Sequence, residues 1–185
     1  MFDRTGPRQP GNRMQIGTPT LIILGGLPGA GKTTLGRALA RKIGAVHIRI
    51  DTIEHAMWAW GFANDLEDVG YRVGYALALD NLRLGLDVVA DSVNPWGLTR
   101  QAWRIVARDA GVASFEVEVI CSDAVEHRRR VETRPQDIPG HIHPTWQEVI
   151  ARDYRPWDGE RLVIDTAGRS VEAGVAEIEA AMAKS

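Results

Sequence analysis

Lys32 is one of only three lysines in the chain, and it stands inside the run "GLPGAGKTT", residues 26–34. The spacing Gly-x-x-x-x-Gly-Lys-Thr over 26–33 is that of a phosphate-binding loop, provided a strand precedes it and a helix follows. Successive backbone N–H groups can curl around a phosphate only where side chains do not block the approach, which is what the glycines allow. A helix opening near Lys32 adds the positive end of its dipole. Gly26, Gly29, Ala30, Gly31, Lys32, Thr33 and Thr34 are therefore read as nucleotide-binding. Lys32 would reach the β- and γ-phosphates, and the Thr33 hydroxyl would ligate Mg²⁺. An ordinary strand-to-helix turn is the bland alternative.

Two carboxylates could complete such a site. Asp91 closes the apolar run "VVAD" and fits the aspartate that orients Mg²⁺ beside the loop, or it caps a turn. No glutamate follows it, so the water-activating residue usual in a motor ATPase is missing; nor do the lysines fit a guanine-reading motif. Asp51, in "IRIDTIEHAMW", stands where a second strand should end. A carboxylate there can accept the proton of an attacking hydroxyl. Asp51 and Glu54 also have the spacing of a capping box, with Asp51 as N-cap and Glu54 three residues on.

Arg130 and Arg134 are four apart and share a face if their segment is helical, with the Pro-, Gly- and His-containing stretch 135–144 after them as a mobile flap. Arginines on a closing lid can neutralise a transferring phosphoryl group, whereas a solvated basic face is the alternative. Arg128 and Arg129 face elsewhere. Trp58, Trp60 and Trp96 could stack on a sugar or aromatic ring, or could be core and rim residues. Asn94 could touch acceptor or phosphate. His141 and His143 alone make no metal site.

The elements that must position these groups alternate. Strands are expected at 20–24, 45–50, 87–91, 114–121 and 161–166. Helices are expected after the loop to Ile43, at 51–60, 66–86, 98–110, 123–133, 144–153 and 170–184. The helix at 66–86 would bury Val69, Val73, Leu77 and Leu84. This alternation predicts a three-layer α/β domain over 19–185, with residues 1–18 as a flexible tail. The chain has 185 residues, 44% of them hydrophobic, and this suits one domain with a proper core. A net charge of -2 argues against an electrostatic grip on nucleic acid or an anionic membrane. The single cysteine, Cys121, excludes an intrachain disulfide and reads as a buried strand-end residue. With no long apolar run and no signal-peptide pattern, a cytoplasmic setting is expected.

"GLPGAGKTT", "RIDTIEHAM", "VVADSVN" and the Arg130/Arg134 lid, in that order, resemble the P-loop kinase group that includes adenylate-kinase-like enzymes, gluconate kinases, zeta-toxin-like kinases and chloramphenicol phosphotransferase. The resemblance covers 19–184. It implies a P-loop NTPase fold with a five-stranded parallel sheet in order 2-3-1-4-5 and a small helical lid at about 128–145. It further implies ATP with Mg²⁺, Asp51 as general base, and the loop Thr166-Ala167-Gly168 beside adenine.

Many nucleoside monophosphate kinases of this group carry Asp-x-x-Arg after the second strand; this chain has Glu54 in the arginine's place. A glutamate there repels an anionic acceptor, so the expected acceptor is a neutral or cationic hydroxyl compound (a sugar, a nucleoside or an antibiotic-like molecule), unless Arg49, Arg72 or Arg83 supplies the missing charge. Asp51, Glu54, Trp58 and Asn94 are its candidate contacts. The leading expectation is γ-phosphoryl transfer to such a small molecule. A nucleic-acid end kinase or toxin-like kinase, and an ATP-binding regulator without turnover, are the alternatives.

Overall fold

The computed structural model describes residues 18–61, 68–140 and 142–184. Residues 1–17 of the expected tail, the start of the third expected helix and His141 lie outside them. The strands are β1 (Thr20–Gly25), β2 (Val46–Arg49), β3 (Val88–Asp91), β4 (Ala113–Ile120) and β5 (Leu162–Asp165). The helices are α1 (Lys32–Ile43), α2 (Ile50–Ala59), α3 (Val69–Arg83), α4 (Gly97–Ala110), α5 (Ala124–Thr133), α6 (Trp146–Ile150) and α7 (Val171–Met182).

The sheet runs β2-β3-β1-β4-β5 with every neighbour parallel, as the resemblance implied. Parallel neighbours cannot be joined by a tight turn, so helices carry the connections and cover both faces. Side chains alternate along β1. Ile22 and Leu24 face a core shared with Leu35 and Leu39 of α1 and Ile178 of α7. Leu21 and Ile23 face another, with Leu82 of α3 and Trp103 of α4. All four β1 residues are fully buried, each contributing about 1.5–3 kcal/mol.

Register decides where the chemistry collects. Leu24 on β1 pairs with Asp91 on β3, which pairs with Arg49 on β2. The carboxyl ends of the three strands thus lie in one row, at the point where the chain departs from β1 to opposite sides of the sheet.

Helix α3 corrects an expectation. Its inward face is Gly70, Gly74, Ala78 and Leu82, whereas Val73, Leu77 and Leu84 are exposed. A Cβ on Gly74 would stand 2.4 Å from Ile50 Cδ1, and one on Gly70 would stand 2.3 Å from Glu54 Cγ. Small residues at four-residue spacing let α3 approach α2 closely, and the larger apolar residues are left outside. Apolar periodicity misreads a face whose contact is made by backbone.

Candidate active site

The loop between β1 and α1 is built from main chain. Gly31 has φ 104° and Gly26 has φ 139°, both in the left-handed region. Gly26 has a further reason to lack a side chain: a Cβ there would lie 2.1 Å from the Val119 carbonyl oxygen. Its N–H donates to Val93 O at 3.1 Å, so the expected phosphate contact is corrected to a packing role. Ala30 is buried as well, and its carbonyl accepts from the Thr166 hydroxyl at 2.8 Å. Gly29, Gly31, Lys32, Thr33 and Thr34 do line a cavity of about 1030 Å³. Lys32 Nζ crosses the loop to donate to Leu27 O at 3.0 Å, holding its ring shape. Burial pushes the Lys32 ammonium below the usual lysine range, while Asp91 and Asp51 pull it back up.

Asp91 is 2% exposed and reaches the same cavity from the end of β3. Burial alone would raise its carboxyl; His47, Lys32 and Thr33 hold it below the ordinary range. His47 Nε2 lies 3.3 Å from Asp91 Oδ2, but the alignment is too poor for a good hydrogen bond and leaves both buried atoms unsatisfied. A buried carboxylate with a spare lone pair beside the Thr33 hydroxyl suits a hydrated Mg²⁺. No group of three or more His, Cys, Asp or Glu able to hold a metal occurs among the described residues. A divalent ion here would therefore be held largely by phosphate oxygens and water.

On the opposite wall stands α2. Its N-cap is Arg49, without a side-chain cap bond, and Asp51 falls inside the first turn. The capping-box reading is overturned, and both carboxylates are left for the cavity, which Asp51 and Glu54 line. Asp51 Oδ2 accepts from Arg49 Nη2 at 3.1 Å and Nε at 3.3 Å. Glu54 is pushed up to about 7 by burial and by Asp51, with Arg152 opposing. Tyr71 of α3 closes this wall; its hydroxyl accepts from the Asn94 N–H at 3.2 Å and is pushed up to about 12, chiefly by burial.

The arginines divide. Arg130 lines the cavity, but its guanidinium is committed to Thr166 Oγ1 at 2.7 Å, Thr166 O at 2.9 Å and Glu126 at 2.6 Å. Arg134 does not share its face: it is the C-cap of α5 with extended backbone, and its buried Nε has no hydrogen-bond partner. Burial, with Arg49 adding to it, lowers its pKa, while Asp51 and Asp137 oppose. Thr166 joins the loop after β5 to the Ala30 carbonyl, so that loop borders the cavity. Within the stretch expected as a mobile flap, Asp137 pairs with Arg49 at 2.6 Å and Arg37 at 2.9 Å.

Two expected acceptor contacts fall away. Asn94 is fully buried; its side chain donates to Leu24 O at 2.8 Å and accepts from Trp103 Nε1 at 3.1 Å. It braces β1 against α4. Trp58 lies against His55 on the outer side of α2, 58% exposed and away from the cavity. Trp60 is exposed too, while Trp96 does line the cavity, with its indole N–H on Asp153. Sequence reasoning missed Tyr71 and Arg152 as cavity residues. Neither carries a local motif. Arg49, read from the sequence as a possible source of positive charge for an anionic acceptor, lines the cavity but is paired with Asp51 and Asp137.

A glycine-lined loop at the end of a central parallel strand, with a buried lysine and a buried aspartate beside it, defines a P-loop nucleotide-binding α/β protein. The chain belongs to the AAA domain family, whose model matches residues 21–151. No curated protein matches it in sequence. Among solved structures, a protein of Chloroflexus aurantiacus named as a candidate kinase is 23% identical, with TM-score 0.72, covering 89% of this chain and 98% of its own. The Mycobacterium tuberculosis APS kinase in complex with AMPPNP and APS is 22% identical, with TM-score 0.68 and coverage of 89% and 98%. A Sinorhizobium meliloti gluconokinase is 23% identical, with TM-score 0.63 and coverage of 90% and 93%. At these identities the likeness is one of fold: this chain has the fold of P-loop kinases. No described helix is long and apolar enough to cross a membrane.

Proposed function

We propose that the chain is an ATP-dependent phosphotransferase that moves the γ-phosphoryl group to a hydroxyl of a small molecule. The observation that carries this reading is that one cavity holds the phosphate loop on one wall and Asp51 on the other. The main-chain amides and Lys32 grip the triphosphate, and Arg134 offers a free N–H to the transferring group. Asp51 takes the proton of the attacking alcohol and aims its oxygen. Mg²⁺, held through Thr33 and by way of water through Asp91, would neutralise charge on the β- and γ-phosphates. Support for ATP comes also from the APS kinase of the same fold, whose structure holds AMPPNP. Glu54, half protonated near neutral pH, supports an acceptor that donates hydrogen bonds, such as a sugar, nucleoside or antibiotic-like alcohol, over one bearing a phosphate.

The test is a screen of hydroxyl compounds with ATP and Mg²⁺, read by ³¹P NMR for a new phosphate ester. A neutral or cationic alcohol should gain the phosphate. Ordinary ATP binding with no ester from any compound would make the chain a nucleotide-binding regulator instead. Efficient transfer to nucleoside monophosphates would overturn the acceptor class.

A further inference from the structure

Arg49 sits where three parts of the fold meet. It ends β2, precedes the first turn of α2, and its side chain is 7% exposed. The guanidinium has two neighbours of opposite charge. Nε and Nη2 both donate to Asp51 Oδ2, and Nη1 donates to Asp137 Oδ2 at 2.6 Å. Asp137 belongs to the connection between α5 and α6, and the same oxygen accepts from Arg37 of α1 at 2.9 Å. The result is an alternating chain of four charges, Arg37–Asp137–Arg49–Asp51, running from the helix behind the phosphate loop, through the α5–α6 connection, to the carboxylate facing the cavity.

This connection is seated at three points. Asp137 holds the ion pairs, Ile138 is 7% exposed, and the Gly140 Cα stands so close to the His55 ring that a Cβ would lie 3.3 Å from Cε1. It thus acts as a strap from the end of α5 across α1 and α2. Both Arg49 contacts to Asp51 fall on Oδ2, which leaves Oδ1 for the cavity. A planar guanidinium offers its donors in a fixed fork, so turning one edge turns the other. Were Asp137 to leave, a nearly buried guanidinium would keep one carboxylate only, and would swing toward it.

We infer that Arg49 is a positioning residue that couples the 135–140 strap to Asp51, so that the candidate base is correctly aimed only while the strap is docked. This rests on the reading of Asp51 as the base. The coupling ties the aim of the candidate base to the docking of a connection whose continuation, Ile142 to Pro144, lines the cavity, as Arg49 itself does.

The experiment measures hydrogen exchange of the full chain for peptides covering the strap and α2, in wild type, Asp137→Asn, Asp51→Asn and the double variant. Arg49→Lys, which keeps the charge but cannot fork, is measured beside them. Asp137→Asn and Arg49→Lys should each speed strap exchange about tenfold. Asp51→Asn should speed strap exchange although it does not touch the strap, and the double variant should be less than additive. Strap exchange unchanged by Asp51→Asn, or fully additive effects, would overturn the coupling. This arm needs no acceptor, so its failure is separate from failure of the kinase reading. With an alcohol that is phosphorylated, Asp137→Asn should lower kcat about tenfold and leave KM for ATP within about twofold. Unchanged kcat with a loosened strap would overturn the inference and reduce Asp137 to a structural role.

Discussion

At the loop end of the cavity nearly every functional group comes from one unbroken run, residues 26–34, and most of what it offers is main chain. At the acceptor end the groups come from five places: Asp51 and Glu54 on α2, Tyr71 on α3, Trp96 before α4, Arg134 after α5 and Arg152 after α6. The first wall is held by backbone conformation, with positive φ at Gly29 and Gly31 and a lysine bonded across its own loop. The second is held by helix packing and ion pairs, with Gly70 and Gly74 letting α3 close on α2. A wall of main-chain amides recognises phosphate in many settings. A wall of side chains has only the specificity its particular neighbours confer, so on the proposed function acceptor choice would belong to this second wall.

The largest effect that would break this contrast is at Lys32. Lys32→Ala should reduce phosphoryl transfer on the order of a thousandfold and weaken ATP binding, read by turnover and titration calorimetry. ATP affinity equal to wild type would detach the loop from the nucleotide. Asp51→Asn should act on the other wall alone, with kcat down about a hundredfold and the ATP dissociation constant within about threefold. Transfer at the wild-type rate would refute the base.

Asn94 sharpens the contrast from the side of stability. Asn94→Ala strands the Leu24 carbonyl and the Trp103 indole N–H, and should cost about 1–3 kcal/mol, a fall in Tm of about 2–4 °C per kcal/mol. Its KM for an acceptor should not move, and a large rise would return Asn94 to the acceptor site.

The smallest effect is a pH dependence at Glu54. Its folded value of about 7 lies above the ordinary 4.5, so the folded state binds its proton more tightly than the unfolded chain. That stabilisation is complete below about pH 4.5 and is lost as pH rises to 7. Glu54→Gln should flatten this part of the Tm profile. An identical slope in both proteins would show that Glu54 is not held in the cavity wall as described.

Legibility followed the same division. The phosphate loop could be read because its chemistry depends on which residues are adjacent in the chain, and Asp91 could be read because it ends an unbroken apolar strand. Asn94 follows Asp91 by three residues and looked equally exposed to ligand. The fold instead turns it inward onto β1 and α4, with φ 49°. Arg130 and Arg134 looked equivalent on a helical face, yet the helix stops at Thr133, which leaves one on Thr166 and the other with a free buried N–H. The stripe Val73, Leu77, Leu84 was misread because a glycine face carries no hydrophobic signal, although it packs more closely than a leucine face.

The sequence by itself determined the order of strands and helices and the glycine-rich loop between β1 and α1, because periodicity and backbone freedom act over a few neighbouring residues. Only tertiary structure decided which charges meet. Arg37, Arg49, Asp51 and Asp137 are as much as 100 positions apart in the chain and come together because parallel strand register and helix packing put their backbones side by side. Electrostatic partnership depends on that spatial distance, which no local pattern of residues encodes.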